Sequence, residues 1–124
     1  MYSILEPAMN PTIFHNPRCR KSRETLALIE QAGYQPTVVE YLKEPPSAEE
    51  LDRICVLLGV EPVELVRTVE PRLKELGVSV RDNLTRSEWL DVLSSNPILI
   101  QRPIVVMGDR AVVGRPPENV ESLL

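Results

Sequence analysis

The sequence predicts an α/β fold: a thin mixed β-sheet flanked by helices, with an all-helical insertion between a β-α-β half and a β-β-α half. Three observations carry this. Short β-branched runs sit near the two ends of the 124-residue chain and not in its middle. Residues 46 to 97 carry helix punctuation instead, with no convincing strand. Finally, a cysteine, Cys19, stands where the first strand gives way to the first helical pattern.

In chain order, Thr12-Ile13-Phe14 reads as a short strand stopped by Asn16-Pro17. From about Cys19 to Ala32 the apolar residues Leu26, Leu28, Ile29 and Ala32 recur at helical spacing, and Gly33 follows as a C-terminal stop. Thr37 to Tyr41 is short and β-branched, a second strand, so the first forty residues form a unit with parallel strands. Pro45-Pro46 breaks the chain. Ser47 with Glu50 is a capping box, and Leu51, Ile54, Cys55 and Leu58 share one helix face up to Gly59. Pro62 opens a further short helix through Leu65, Val66 and Arg67. Thr85 with Glu88 is a second capping box, leading into Trp89, Leu90 and Leu93 before Pro97. Strands return at Ile104 to Met107 and Ala111 to Val113, with Gly108-Asp109 as a tight turn between them. Gly114-Arg115-Pro116-Pro117 then starts a last helix to Leu124. This element order is the thioredoxin-like one, and Cys19 occupies the place where that fold puts its reactive thiol.

Composition narrows the class. The length fits one domain, residues 1–124, with one core, and 43% apolar residues is a globular proportion. The net charge of −4 argues against nucleic acid as a partner. No apolar run approaches the roughly 20 residues of a membrane span, so no membrane partner is expected. Met1 to Ala8 lack the basic start and apolar centre of a signal peptide; residues 1–9 read as a flexible leader, with Met9 as an alternative start. Two cysteines are too few for a disulfide scaffold, which suits a cytoplasmic protein with reduced thiols. No metal and no bound cofactor is expected.

Cys19 invites a chemical reading. A thiolate is the nucleophile, and a helix N-terminus with nearby cations favours it over the thiol. Arg18, Arg20, Lys21 and Arg23 surround Cys19, and the unpaired N–H groups of the first turn form an anion cradle. Ser22 is placed to donate a hydrogen bond to the thiolate from one turn away; the alternative is that it merely fills the helix. His15, the only histidine, either tunes the thiolate or caps the strand end. Cys55, between Ile54 and Leu58, reads as core packing. Arg18, Arg20 and Lys21 have a solvated face as their simpler explanation. Arg67, Arg102 and Arg115 stand out by location: Arg67 at the end of an apolar stretch, Arg102 between two apolar runs, Arg115 in the loop before the last helix. The planar arginine fork matches tetrahedral oxyanions, although spacing alone does not bring the three together.

The stretch FHNPRCRKSRETL resembles the active-site loop of the glutaredoxin-dependent arsenate reductases, the ArsC family. EPVELVRTVEP, NPILIQRPIVV and VVGRPPE agree in order, so the resemblance spans about Asn10 to Leu124. It implies that Cys19 attacks arsenate, that His15 and Ser22 stabilise its thiolate, and that Arg67, Arg102 and Arg115 hold the oxyanion. It implies structural roles near the site for Asn16 and for Pro103, as a cis-proline facing the thiol. The implied reaction is reduction of arsenate to arsenite through a covalent adduct on Cys19, with glutathione as co-substrate and glutaredoxin as resolving partner. In two respects the sequence departs from the best-known patterns. Arg18, Arg20 and Lys21 stand where well-known reductases carry small residues, which resembles a housekeeping, YfgD-like subgroup. The residue six after Cys19 is Thr25, so the C-x5-R loop of the phosphatase-like arsenate reductases is missing.

Two other function classes compete. A transcriptional regulator resembling Spx would bind RNA polymerase, but such proteins carry a Cys-x-x-Cys switch where this chain has Ser22. A glutathione-dependent thiol reductase with another substrate would share the cysteine and the fold, with less need of three arginines.

Overall fold

The computed structural model describes residues 10–124, so the leader expected at residues 1–9 lies outside the described residues. The described residues form two compact units, one holding residues 10–40 together with Arg102–Leu124, the other Tyr41–Gln101.

The first unit is a four-stranded mixed sheet of order β2-β1-β3-β4, built from β1 (Thr12–His15), β2 (Thr37–Glu40), β3 (Ile104–Met107) and β4 (Arg110–Val113). β1 runs parallel to β2 and antiparallel to β3, and β3 pairs antiparallel with β4. Helix α1 (Arg20–Gln31) joins β1 to β2. β1 is buried on both faces from Ile13 to His15, and on one of them Ile13 opposes Val105 in register, both fully buried. Ile29 of α1, Met107 of β3, and Val120 and Leu123 near the C-terminus close over them. This is the thioredoxin-like α/β arrangement predicted from the element order.

The ends of the elements differ in detail from the sequence pattern. Cys19 is the N-cap of α1, extended at φ −94° and ψ 121°, and not its first helical residue. Its side chain makes no capping bond, so the sulfur is left beside the free N–H groups of the first turn. The last segment is a 3-10 helix, Pro117–Ser122, and not a helix reaching Leu124. Here Asn119 Nδ2 donates to the carbonyls of Val113 and Arg115, and Ser122 Oγ donates to that of Asn119. Such local side-chain bonds compete with regular α-helical pairing.

The second unit holds α2 (Ala48–Leu58), α3 (Pro71–Glu75) and α4 (Arg86–Ser95), with 3-10 turns at Pro62–Leu65 and Pro97–Leu99. Both predicted capping boxes are formed, at Ser47/Glu50 and Thr85/Glu88. Leu51, Ile54, Cys55, Leu65, Trp89, Leu93 and Leu99 are buried. One expectation fails here. Val66 and Arg67 do not continue a helix: Val66 is extended and forms an isolated antiparallel bridge with Ile100. Arg67 N donates to Leu99 O and Gln101 N to Leu65 O, both at 2.7 Å, so pairing across the two apolar runs outweighs helix continuation. Among the described residues, no helix is long and apolar enough to cross a membrane.

Candidate active site

β1 ends at His15, and a tight turn carries the chain from Asn16 to Cys19. Cys19 N donates to Asn16 O at 2.9 Å, and Asn16 Oδ1 accepts from Arg18 N at 3.0 Å. Arg23 reaches back from α1 to donate to Pro17 O at 2.9 Å. The turn is thus fixed from its own side chain and from the helix it opens.

Ser22 is fully buried beneath this turn. Its hydroxyl oxygen accepts from Asn16 N at 3.1 Å and lies 2.6 Å from His15 Nδ1. The expectation that this hydroxyl donates to the thiolate is corrected by that geometry. Ser22 faces the sulfur with its backbone N–H, and Lys21 contributes its own N–H beside it. Sequence reading missed the main-chain donors as individual groups, although the helix start was signal enough. It also missed Arg23 as a clamp on the turn.

The arginine wall comes from the loops after Gln101 and after β4. The Arg102–Pro103 bond is cis, as the resemblance implies, and the Arg115–Pro116 bond is cis as well. Arg115 Nε donates to Arg102 O at 2.6 Å, so the two arginines are tied together, and Arg115 Nη2 lies 3.9 Å from Cys19 Sγ. Arg102 Nε is buried and has no hydrogen-bond partner among the described residues. An unpaired buried guanidinium N–H is costly, so it marks a place suited to an acceptor, an anion above all.

These surroundings set the charge of the thiol. Burial pushes the Cys19 thiol up, but the Ser22 N–H, the Arg102 guanidinium and the Lys21 N–H together outweigh burial, and its pKa falls below the ordinary cysteine value. His15 is also held below its ordinary value. Burial is the main cause, opposed by Glu40, its register partner on β2, and assisted by Arg23. Burial therefore favours the neutral form of the imidazole beside Ser22.

His15, Asn16, Cys19, Ser22, Arg102, Pro103 and Arg115 all belong to the sheet-bearing unit. Arg67 belongs to the helical unit, where its Nη1 pairs with Glu70 Oε1 at 2.7 Å. Cys55 lies in the helical unit too, and burial raises its pKa to about 11. Among the described residues, no group of His, Cys, Asp and Glu side chains could hold a metal ion.

Comparisons with known proteins identify the family. A family model described as ArsC family matches residues 14–123. An arsenate reductase of Haemophilus influenzae is 44% identical over 117 residues, covering 94% of this chain and all of that protein. The uncharacterized protein YfgD of Escherichia coli K12 is 43% identical over 113 residues, covering 90% of this chain and 94% of its own. Among solved structures, an arsenate reductase from Vibrio cholerae superposes with a TM-score of 0.87 at 44% identity, over 94% of this chain and 98% of that one.

Proposed function

The chain belongs to the ArsC family, and from that premise we propose that it reduces arsenate to arsenite through a covalent adduct on Cys19. The observation that carries this reading is the buried, unpartnered Arg102 Nε beside an activated thiol, with Arg115 3.9 Å from the same sulfur. A generic thiol reductase has no use for an acceptor-seeking guanidinium there. A tetrahedral oxyanion satisfies it.

In the proposed reaction, the Cys19 thiolate attacks arsenic and an arsenate oxygen leaves as water, with arsenic still pentavalent. Arg102 and Arg115 hold the remaining oxygens and offset their negative charge. Glutathione adds its sulfur to arsenic, displacing a second oxygen as water. A glutaredoxin thiolate then attacks the glutathione sulfur. The sulfur–arsenic bond breaks with its electron pair staying on arsenic, which becomes trivalent, and the two outside thiols depart as one mixed disulfide. Water releases arsenite and restores the Cys19 thiolate. His15, Asn16 and Ser22 act by positioning the turn, and Pro103 by positioning Arg102. The oxyanion role that the family resemblance implies for Arg67 is part of this proposal and is tested by Arg67→Ala.

The test is an assay of the purified protein with arsenate, glutathione, glutaredoxin and glutathione reductase, following NADPH consumption. Consumption should require arsenate and Cys19, and should fall away without glutaredoxin. No arsenate-dependent consumption by a protein whose Cys19 still alkylates rapidly would overturn the proposal.

A further inference from the structure

Gly114 stands between β4 and Arg115, and it is not a glycine that the backbone demands. The positive-φ glycines are Gly33, Gly59, Gly77 and Gly108, and Gly114 is not among them. What demands glycine here is space. A Cβ on Gly114 would lie 2.5 Å from Thr25 Oγ1, 3.1 Å from Thr25 Cγ2 and 2.9 Å from Pro103 Cγ. Neither neighbour yields readily. Thr25 is fully buried in α1 and its hydroxyl is committed to Lys21 O at 2.7 Å. Pro103 is buried and its carbonyl accepts from Gly114 N at 2.9 Å. Gly114 is therefore the point where α1, which carries Cys19 at its start, meets the two loops that carry Arg102 and Arg115.

We propose that Gly114 is a positioning residue: the missing side chain sets the gap between the thiol helix and the two arginine loops, which brings the guanidinium groups of Arg102 and Arg115 within reach of the Cys19 sulfur. The reading that these arginines receive an oxyanion is shared with the proposed function. The spacing of thiol and guanidinium holds without it. A Cβ at residue 114 must displace α1 at Thr25 from the Arg115 loop, or the Arg102 loop at Pro103 from it, and in the proposal this moves the guanidinium groups off the sulfur. The arginines remain in the protein, but off target.

The experiment uses Gly114→Ala in the full chain, with folding followed by circular dichroism. The pH dependence of Cys19 alkylation reports the thiol, and protection from alkylation by sulfate reports the oxyanion cradle. In the folded variant the alkylation midpoint should rise toward that of free cysteine, and sulfate protection should weaken about tenfold, the loss of one charged hydrogen bond. Adding Thr25→Ala removes the two closest Thr25 atoms and should move both readings back toward wild type. A folded Gly114→Ala protein with the wild-type midpoint and wild-type sulfate protection would overturn the inference, as would a double variant that keeps the full defect. If Gly114→Ala alone does not fold, the double variant decides by the same two readings: near wild type supports the spacing role, a raised midpoint overturns it. Neither reading needs arsenate turnover, so a protein inactive on arsenate would sink the proposed function and leave this test intact.

Discussion

Arg102→Ala is the perturbation that discriminates most sharply. Arg102 lowers the Cys19 pKa both as a hydrogen-bond donor and as a charge, and its own Nε waits unpaired. Removing it takes away one charge-assisted hydrogen bond, worth about 1.5–3 kcal/mol. At about 1.4 kcal/mol per power of ten, oxyanion affinity or kcat/KM for arsenate should fall roughly ten- to a hundredfold. The same substitution should raise the pH midpoint of Cys19 alkylation, because burial, which favours the neutral thiol, then meets less opposition. Arg102→Lys keeps the charge and loses the planar fork, so it should recover part of the thiol effect and less of the oxyanion effect. Alkylation of the folded variants across pH, with and without sulfate, measures both quantities on one sample. An Arg102→Ala protein with an unmoved midpoint and undiminished sulfate protection would refute the placement of this guanidinium at the sulfur.

Cys19→Ser should abolish turnover, whereas Cys55→Ser should keep it and lose only about 1–3 kcal/mol of stability for a buried hydroxyl, read by urea denaturation. With Cys55 held up at about 11, alkylation near neutral pH should modify Cys19 alone, checked by peptide mass. Ser22→Ala should lower stability by about 1–3 kcal/mol, since it strands Asn16 N–H and His15 Nδ1, yet shift the thiol midpoint less than Arg102→Ala does, because the residue 22 N–H remains. His15 should make stability fall as pH drops. Its folded pKa lies below the ordinary 6.5, so the unfolded chain takes up the proton first, and the loss runs from about 6.5 downward until the folded imidazole also protonates. Denaturation of His15→Gln across pH 7 to 5 should show a flatter profile than wild type, and parallel profiles would refute that assignment.

Much of this was legible in the sequence because the signals were local. The capping boxes at Ser47/Glu50 and Thr85/Glu88 form as predicted because each needs only residues three apart. The sheet strands are found where β-branched runs lie, since β1 and β3 put Ile13, Val105 and Met107 into one core. Failures begin where distant segments decide. Val66 reads as helix until Ile100 offers a partner 34 positions later, and nothing near Val66 announces that bridge. The Ser22 hydroxyl looked free for the thiolate because helical spacing places it one turn from Cys19. The turn at Asn16 claims it first, a competition visible only once the backbone N–H of Asn16 is seen pointing inward. The approach of Arg102 to Arg115 across 13 positions is equally silent in the sequence, because it depends on how β3 and β4 pair.

Burial and positive charge pull the Cys19 thiol in opposite directions, and that opposition suits the proposed chemistry. Cations alone would lower the thiol pKa far, but a thiolate loses intrinsic nucleophilicity as its pKa falls. Burial, the largest single influence on Cys19, works against the guanidinium and the N–H groups and limits how weak a base the sulfur becomes. The balance also changes when an oxyanion arrives. Arg102 and Arg115 then share their charge with the substrate oxygens, so the sulfur keeps less stabilisation at the moment it must attack. In the free protein the Arg102 guanidinium favours the ionised form of the sulfur. In the proposed complex it and Arg115 would hold the electrophile and leave the sulfur a stronger nucleophile. Two partners for one pair of arginines would fit an Arg102 Nε with no acceptor among the described residues: a permanent protein acceptor there would hold the group that the proposed substrate needs.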